Sequence, residues 1–176
     1  MIYSPREDSF LLEREVKKYS KGKSFLDLGA GSGIQAKAAK SVKAKSILCA
    51  DINDEALKEL EAQGFSTIKS NLFLNIKEKF DLIAFNPPYL PKDKREDNES
   101  ALATTGGKKG DEIIVNFLKD AKKHLNKNGI ILLVVSSLTP KERILKILEK
   151  NSLSYQIISS QKFFFEELQI WKIETK

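Results

Sequence analysis

The sequence predicts an α/β fold: a central, mostly parallel sheet of seven strands with helices on both faces and an antiparallel strand at its C-terminal end. Three observations carry this expectation. Short apolar, β-rich runs alternate with amphipathic stretches through most of the chain, which is how stacked βα units read. Ile130 to Val135 is apolar at every position, as a strand covered on both faces must be. Finally, Tyr155 to Ser160 and Gln169 to Ile173 are apolar runs joined by a connection too short for a helical crossover, so they must pair antiparallel.

Taken in order, Leu11, Leu12, Val16 and Tyr19 share one face of a leading helix. Ser4-Pro5-Arg6-Glu7 before them has the form of a capping box with proline in the first turn. Ser24 to Leu28 is a short buried strand, Gly29 to Gly33 a glycine turn, and Ile34 to Ser41 the helix behind it. Ser46 to Ala50 is the second strand. Asn53 or Asp54 then caps a helix that carries Ala56, Leu57 and Leu60 and stops at Gly64. The third strand lies near Thr67 to Lys69, and the fourth, Asp81 to Phe85, is terminated by Pro87 and Pro88, which cannot continue a ladder. A long polar loop from Leu90 to Gly110 leads to a helix bearing Ile113, Ile114, Phe117, Leu118 and Ala121. Thr139-Pro140-Lys141-Glu142 reads as a second capping box, opening a helix that runs to about Lys150.

Composition sets the class. With 176 residues, 41% hydrophobic and 31% charged, the chain fits one globular domain, residues 1–176, able to bury a core without disulfides or a structural metal. The N-terminus lacks the basic and then apolar layout of a signal peptide, and no apolar run is long enough for a membrane span, so a cytoplasmic protein with no membrane partner is expected. The single cysteine, Cys49, excludes an intramolecular disulfide and reads as a buried structural thiol. The lone His124 stands at a helix end without partner ligands, so no metal site is expected. The net charge of +6 is compatible with an anionic partner, yet the lysines are scattered along the chain as a solvated surface would have them.

Asp27-Leu28-Gly29-Ala30-Gly31-Ser32-Gly33 stands where a strand hands over to a helix. Glycine is needed there because the backbone must turn tightly and lie against a ligand. A dinucleotide fingerprint would place the third glycine at position 34, where the chain has Ile34, and pyrophosphate binding loses ground accordingly. Asp51 ends the next strand, the place from which a carboxylate can accept hydrogen bonds from both ribose hydroxyls.

Asn86-Pro87-Pro88-Tyr89 follows the fourth strand, whose carboxyl end opens into the same crevice. The carboxamide of Asn86 offers an acceptor oxygen to one N–H of a planar NH2 group, and a carbonyl held by the Pro87-Pro88 pair can accept the other. Tyr89 can stack on the planar group. Transfer to such a nitrogen depends on positioning its lone pair, and no strong general base is required.

The glycine turn resembles motif I of class I S-adenosylmethionine methyltransferases, and the tetrapeptide resembles the hallmark of enzymes that methylate adenine N6, cytosine N4 or glutamine N5. Tyr3-Ser4-Pro5-Arg6-Glu7-Asp8-Ser9 is similar to the opening of the short, archaeal and eukaryotic branch of the HemK-like release-factor glutamine methyltransferases. With the Gly106 to Glu112 stretch, this resemblance covers nearly the whole chain. It implies a Rossmann-like fold, S-adenosyl-L-methionine as cofactor, and methylation of the glutamine in the Gly-Gly-Gln loop of a class 1 translation release factor. It also implies a small zinc-binding activator protein as partner. By the same resemblance Ser9, Asp27, Gly29, Gly31, Gly33 and Ile52 lie along the cofactor, Asp51 meets the ribose, and Asn71-Leu72 meets the adenine. Asn86 faces both cofactor and acceptor. Where the family carries an acid before the leucine this chain has Asn71, whose uncharged oxygen weakens the adenine contact by ~1 kcal/mol.

Three other readings stand beside this one. Lys92, Lys94, Arg95, Lys108 and Lys109 near the tetrapeptide suit a nucleic-acid base as acceptor. A duplex-acting enzyme must flip its base and generally needs extra protein to recognise a target, for which 176 residues leave no room, so a direct nucleic-acid partner is disfavoured. A protein lysine is a second alternative acceptor. A non-catalytic cofactor-binding subunit is the third, and it gives no reason to keep Asn86-Pro87-Pro88-Tyr89.

Overall fold

A computed structural model describes residues 5–88 and 109–176. The elements run α1 (Glu7–Tyr19), β1 (Ser24–Leu28), α2 (Ile34–Ser41), β2 (Ser46–Asp51), α3 (Asp54–Ala62), β3 (Ser66–Lys69), β4 (Phe80–Phe85) and α4 (Glu112–Ala121). A 3-10 turn (Lys122–His124) then leads to β5 (Leu125–Ser136), α5 (Glu142–Lys150), β6 (Leu153–Lys162) and β7 (Glu167–Thr175). The strands form one seven-stranded sheet in the order β3-β2-β1-β4-β5-β7-β6. Pairing is parallel from β3 to β5, and β7 runs antiparallel to both β5 and β6.

Side-chain alternation along β5 shows how the sheet is covered on both faces. Ile131, Leu133 and Val135 join Ile114, Phe117 and Leu118 of α4 and Ile144 and Leu148 of α5 in one cluster. Leu132 and Val134, pointing the other way, pack with Leu11, Leu12 and Val16 of α1 and Ala38 and Ala39 of α2. A strand buried on both sides needs no polar positions in its centre, and β5 has none from Ile130 to Val135.

Three expectations about element ends require correction. The first helix begins at Glu7 with Arg6 at its N-cap, so Pro5 stands before the helix and not in its first turn; Ser4 lies outside the described residues. The helix expected after Thr139 begins at Glu142, with Lys141 as an N-cap that makes no side-chain bond. Thr139 instead donates its backbone N–H to Ser136 O at 3.1 Å, in the turn that leaves β5. The fifth strand starts five residues earlier than Ile130, with a register shift between Phe80 and Leu82 on its neighbour. That extension is tied down at the amino edge of the sheet: Asn126 Nδ2 donates to Asp81 Oδ1 at 2.9 Å, while Asp81 Oδ2 accepts from the Ser24 N–H and hydroxyl, each at 2.9 Å. The Ser24 and Asn126 donors hold the Asp81 carboxyl below its usual range. These bonds join the beginnings of β1, β4 and β5, at the edge opposite the glycine turn.

Cys49 is fully buried, and burial pushes its thiol far up, with the charge of Asp27 adding to the effect. His124 stacks on Phe73 with ring centroids 4.4 Å apart, and its Nδ1 lies 3.0 Å from Glu78 O. Among the described residues no group of three His, Cys, Asp or Glu side chains is placed to hold a metal, and no helix is long and apolar enough to cross a membrane.

Candidate active site

β2, β1 and β4 are neighbours, so the residues that follow them stand side by side at the carboxyl edge of the sheet. Gly29, Gly31 and Gly33 all have left-handed φ, at 67°, 48° and 72°, which a side chain would strain. Their surroundings differ. A Cβ on Gly33 would come within 2.3 Å of Leu60 Cδ2, so this glycine serves packing of α2 against α3. A Cβ on Gly31 would meet nothing nearer than 3.9 Å, which leaves the outer side of the turn open to a ligand.

Asp51 closes the turn from the next strand. Its Oδ2 accepts from the Gly31 N–H at 2.8 Å and its Oδ1 from the Asn53 N–H at 2.9 Å. A carboxylate has about four acceptor sites, so two remain for a pair of hydroxyls. Ile52, the next residue, is 54% exposed and can cover a bound planar group. The end of β3 is carried to the same place, because the Ser70 N–H donates to Asp51 O at 3.0 Å. Asn71 follows and is exposed, while Leu72 takes a left-handed φ of 50° that the Ser70 hydroxyl supports by donating to Leu72 O at 2.7 Å.

Asp27 lies beneath the turn. It is 2% exposed, and its Oδ2 accepts from the Ala36 N–H in the first turn of α2 at 2.9 Å. Burial holds this carboxyl well above its usual range; the Ala36 bond pulls it back in part, and the nearby charge of Asp51 pushes the same way as burial. A cation bound at the turn would reverse that balance.

On the other flank, the Gln35 side chain donates from Nε2 to Ser9 O at 2.9 Å, pinning α1 to the start of α2. Ser9 is buried, and both its N–H and its hydroxyl donate to Asp8 Oδ1, at 2.6 and 3.2 Å. The Oε1 of Gln35 is buried and meets no donor among the described residues.

Asn86 comes directly after β4. Phe85 is in register with Leu28, and its ring lies 3.5 Å from where a Gly29 Cβ would stand, so Asn86 begins at the level of the glycine turn. Its carboxamide oxygen is buried and unpartnered among the described residues. A buried acceptor left without a donor costs about 1–3 kcal/mol, and a ligand N–H at this edge can supply one. Pro87 is buried and Pro88 half-buried. Tyr89 lies outside the described residues, as do Tyr3, Lys92, Lys94, Arg95, Gly106, Gly107 and Lys108.

The structure thus gathers Ser9, Asp27, Gly29, Gly31, Asp51, Ile52, Asn71, Leu72 and Asn86 on one edge, and gives Gly33 a packing role. Sequence reasoning missed Gln35 and Phe85. A polar residue opening a helix otherwise rich in alanine was the available signal for Gln35; the bulk directly before Asn86 was the signal for Phe85. It also missed the ion pair of Asp111, 1% exposed at the N-cap of α4, with Arg143 of α5, whose Nε donates to Asp111 Oδ2 at 2.7 Å.

Residues 7–164 match the family described as the methyltransferase small domain. A Methanocaldococcus jannaschii protein that carries the name N5-glutamine methyltransferase is 35% identical over 98% of this chain and 92% of its own length. The human methyltransferase HEMK2 is 29% identical over 97% of this chain and 88% of its own. Among solved structures, a chain of the Encephalitozoon cuniculi (E. cuniculi) Mtq2–Trm112 complex, described as responsible for methylation of the termination factor eRF1, superposes with a TM-score of 0.79 at 26% identity, covering 99% of both chains.

Proposed function

We infer that this chain, which belongs to the methyltransferase small domain family, is an S-adenosylmethionine-dependent enzyme that methylates the N5 nitrogen of a protein glutamine. Its acceptor is the glutamine of the Gly-Gly-Gln loop in a class 1 translation release factor. The relatives named for glutamine and eRF1 methylation support this substrate. Asn86 carries the reading: its buried oxygen, without a donor among the described residues, stands beside a glycine turn that leaves room for a cofactor.

The residues fit that cofactor. The open side of Gly31 admits its methionine end, Asp27 offers a carboxylate to a cationic group, Asp51 has acceptor sites to spare for ribose hydroxyls, and Asn71-Leu72 is brought alongside for the adenine. S-adenosylmethionine supplies a methyl group on a sulfonium. The chain supplies orientation: Asn86 Oδ1 accepts one N–H of the glutamine amide, a carbonyl of the following proline segment accepts the other, and the nitrogen is thereby turned toward the methyl donor. Pro87 stiffens this segment, and Tyr89 is proposed to stack on the amide plane.

A small activator protein, itself zinc-binding, is proposed as the partner, supported by the likeness to the Mtq2 chain of the Mtq2–Trm112 complex. The proposed place of action is the cytoplasm, where release factors work. The test is direct: labelled S-adenosylmethionine, the chain with its activator, and a purified release factor should yield one methyl group on the glutamine by peptide mass spectrometry. Labelled RNA or DNA with an unmodified release factor would refute the assignment.

A further inference from the structure

We propose that the turn joining β6 to β7 is a docking point for the folded protein that carries the acceptor glutamine; this rests on the glutamine reading above. The turn holds three consecutive aromatic residues, of which Phe164 is 93% and Phe165 84% exposed. Their rings meet edge to face with centroids 4.8 Å apart. Leu138, 47% exposed in the connection after β5, adds to the apolar surface of this region. An exposed patch of large apolar side chains is uncommon on a surface that meets only water, and marks a contact with another molecule.

The patch is fixed in place. Phe163 donates its N–H to Glu166 O at 2.7 Å, closing the turn. The Ser136 hydroxyl donates to Glu166 Oε1 at 2.6 Å, Ser137 donates its N–H to Glu167 O at 2.8 Å, and the Glu167 N–H donates to Ser137 Oγ at 2.9 Å. The turn is therefore anchored to the end of β5, and little ordering remains to oppose binding.

Topology says what it faces. β7 enters the sheet antiparallel to β5, so the turn before it stands at the carboxyl edge, on the side of Asn86. One strand, β5, separates β4 from β7, which places the turn two strand spacings, about 10 Å, to the side. Counting along the ladders from the Phe85–Leu133 and Ser136–Leu168 pairs, it rises roughly 17 Å beyond Asn86. A molecule that touches both places spans about 20 Å, more than an isolated amide or a single base. The charged residues of the turn itself and its two flanks in sequence are Lys162, Glu166 and Glu167. The acids outnumber the base in this segment, so the turn itself offers a phosphate backbone no attraction. Apolar rings with an acidic margin suit a folded protein whose glutamine loop reaches down to Asn86.

The test compares wild type with the F164S/F165S variant, each co-expressed with the activator. Cofactor-product binding by calorimetry and the thermal midpoint should be unchanged, because both rings are exposed. KM for the intact release factor should rise by about tenfold or more with kcat retained, as for loss of a small aromatic anchor. A short peptide containing the same glutamine should be methylated equally by both proteins, and F164Y/F165Y should restore the intact-factor KM. An unchanged KM for the intact factor, an equal loss on factor and peptide, or loss of activator co-purification would overturn the proposal. Wild type that methylates RNA but neither factor nor peptide would sink the glutamine reading itself, an outcome visible before any variant is compared.

Discussion

The carboxylate of Asp51 accepts the N–H of Gly31 at 2.8 Å, so the acid that would hold the ribose also shapes the turn that would hold the methionine end. Asp51→Ala removes both. Cofactor affinity should fall by about 10- to 100-fold, the loss of charge-assisted hydrogen bonds. Asp51→Asn, which keeps one oxygen, should fall less. Calorimetric titration with the cofactor product checks the order, and equal affinities across the three proteins would refute the ribose contact.

Asn86→Ala should separate chemistry from binding. The Asn86 oxygen has no donor among the described residues, so its removal relieves a buried unsatisfied acceptor and the thermal midpoint should not fall. Turnover should drop by at least about 100-fold through lost positioning of the acceptor nitrogen, while cofactor affinity stays within about tenfold. Single-turnover kinetics beside calorimetry makes the comparison. A large loss of cofactor binding would give Asn86 a different role.

Asp27 links cofactor binding to pH. Its carboxyl titrates well above its usual range in the cofactor-free chain, chiefly through burial. A bound cation favours the ionised form, so affinity should be weak below the raised value and climb to a plateau above it, with proton release on binding. Calorimetry in buffers of different ionisation enthalpy reads that proton. The sign for the cofactor-free protein is opposite: native Asp27 keeps its proton where the unfolded chain has lost it, so stability declines as pH rises from the unfolded to the folded pKa. Asp27→Asn should flatten both dependences.

Arg143 and Asp111 give the converse case. The guanidinium holds the Asp111 carboxyl below its usual range, so the pair's contribution is present above the unfolded carboxylate pKa and is lost as pH falls through the lower folded value. Arg143→Met leaves a carboxylate that is 1% exposed without its cationic partner. The variant should be less stable at neutral pH, and its acid unfolding should begin at higher pH than in wild type. Circular dichroism across an acid titration would show this, and coincident curves would assign the pair no energetic role.

The parts of the site that could be read in the sequence are those where chemistry demands a residue type at a handover between elements. Gly29 and Gly31 need left-handed φ after β1, Asp51 must end β2, and Asn86 must follow β4 ahead of prolines. What could not be read depends on contacts between distant segments. Gln35 reaches Ser9 across 26 positions and Arg143 reaches Asp111 across 32, distances at which no local pattern survives. The capping motif at Thr139 misled for a related reason. Spacing alone placed Thr139 as a cap, whereas the chain leaving β5 turns on Thr139 and starts the helix at Glu142. The long reach of β6 and β7 was hidden because Ser154, Gln156, Ser159 and Gln161 take part in a ladder through backbone groups, whatever their side chains.

The position of β7 between β5 and β6 bears on how the protein assembles. β6 is made before β7 yet has no place in the sheet until β7 lies beside β5. β6 therefore joins the sheet with β7 or after it, a non-local step of the kind that slows folding. The chain carries its own optical reporter of that event. Trp171 is the sole tryptophan, 1% exposed on β7, its ring 4.1 Å from Tyr155 of β6 and its residue paired with Leu133 of β5. Its emission should reach its shortest wavelength when β7 joins the sheet, which reports on that closure separately from the strands that hold the glycine turn.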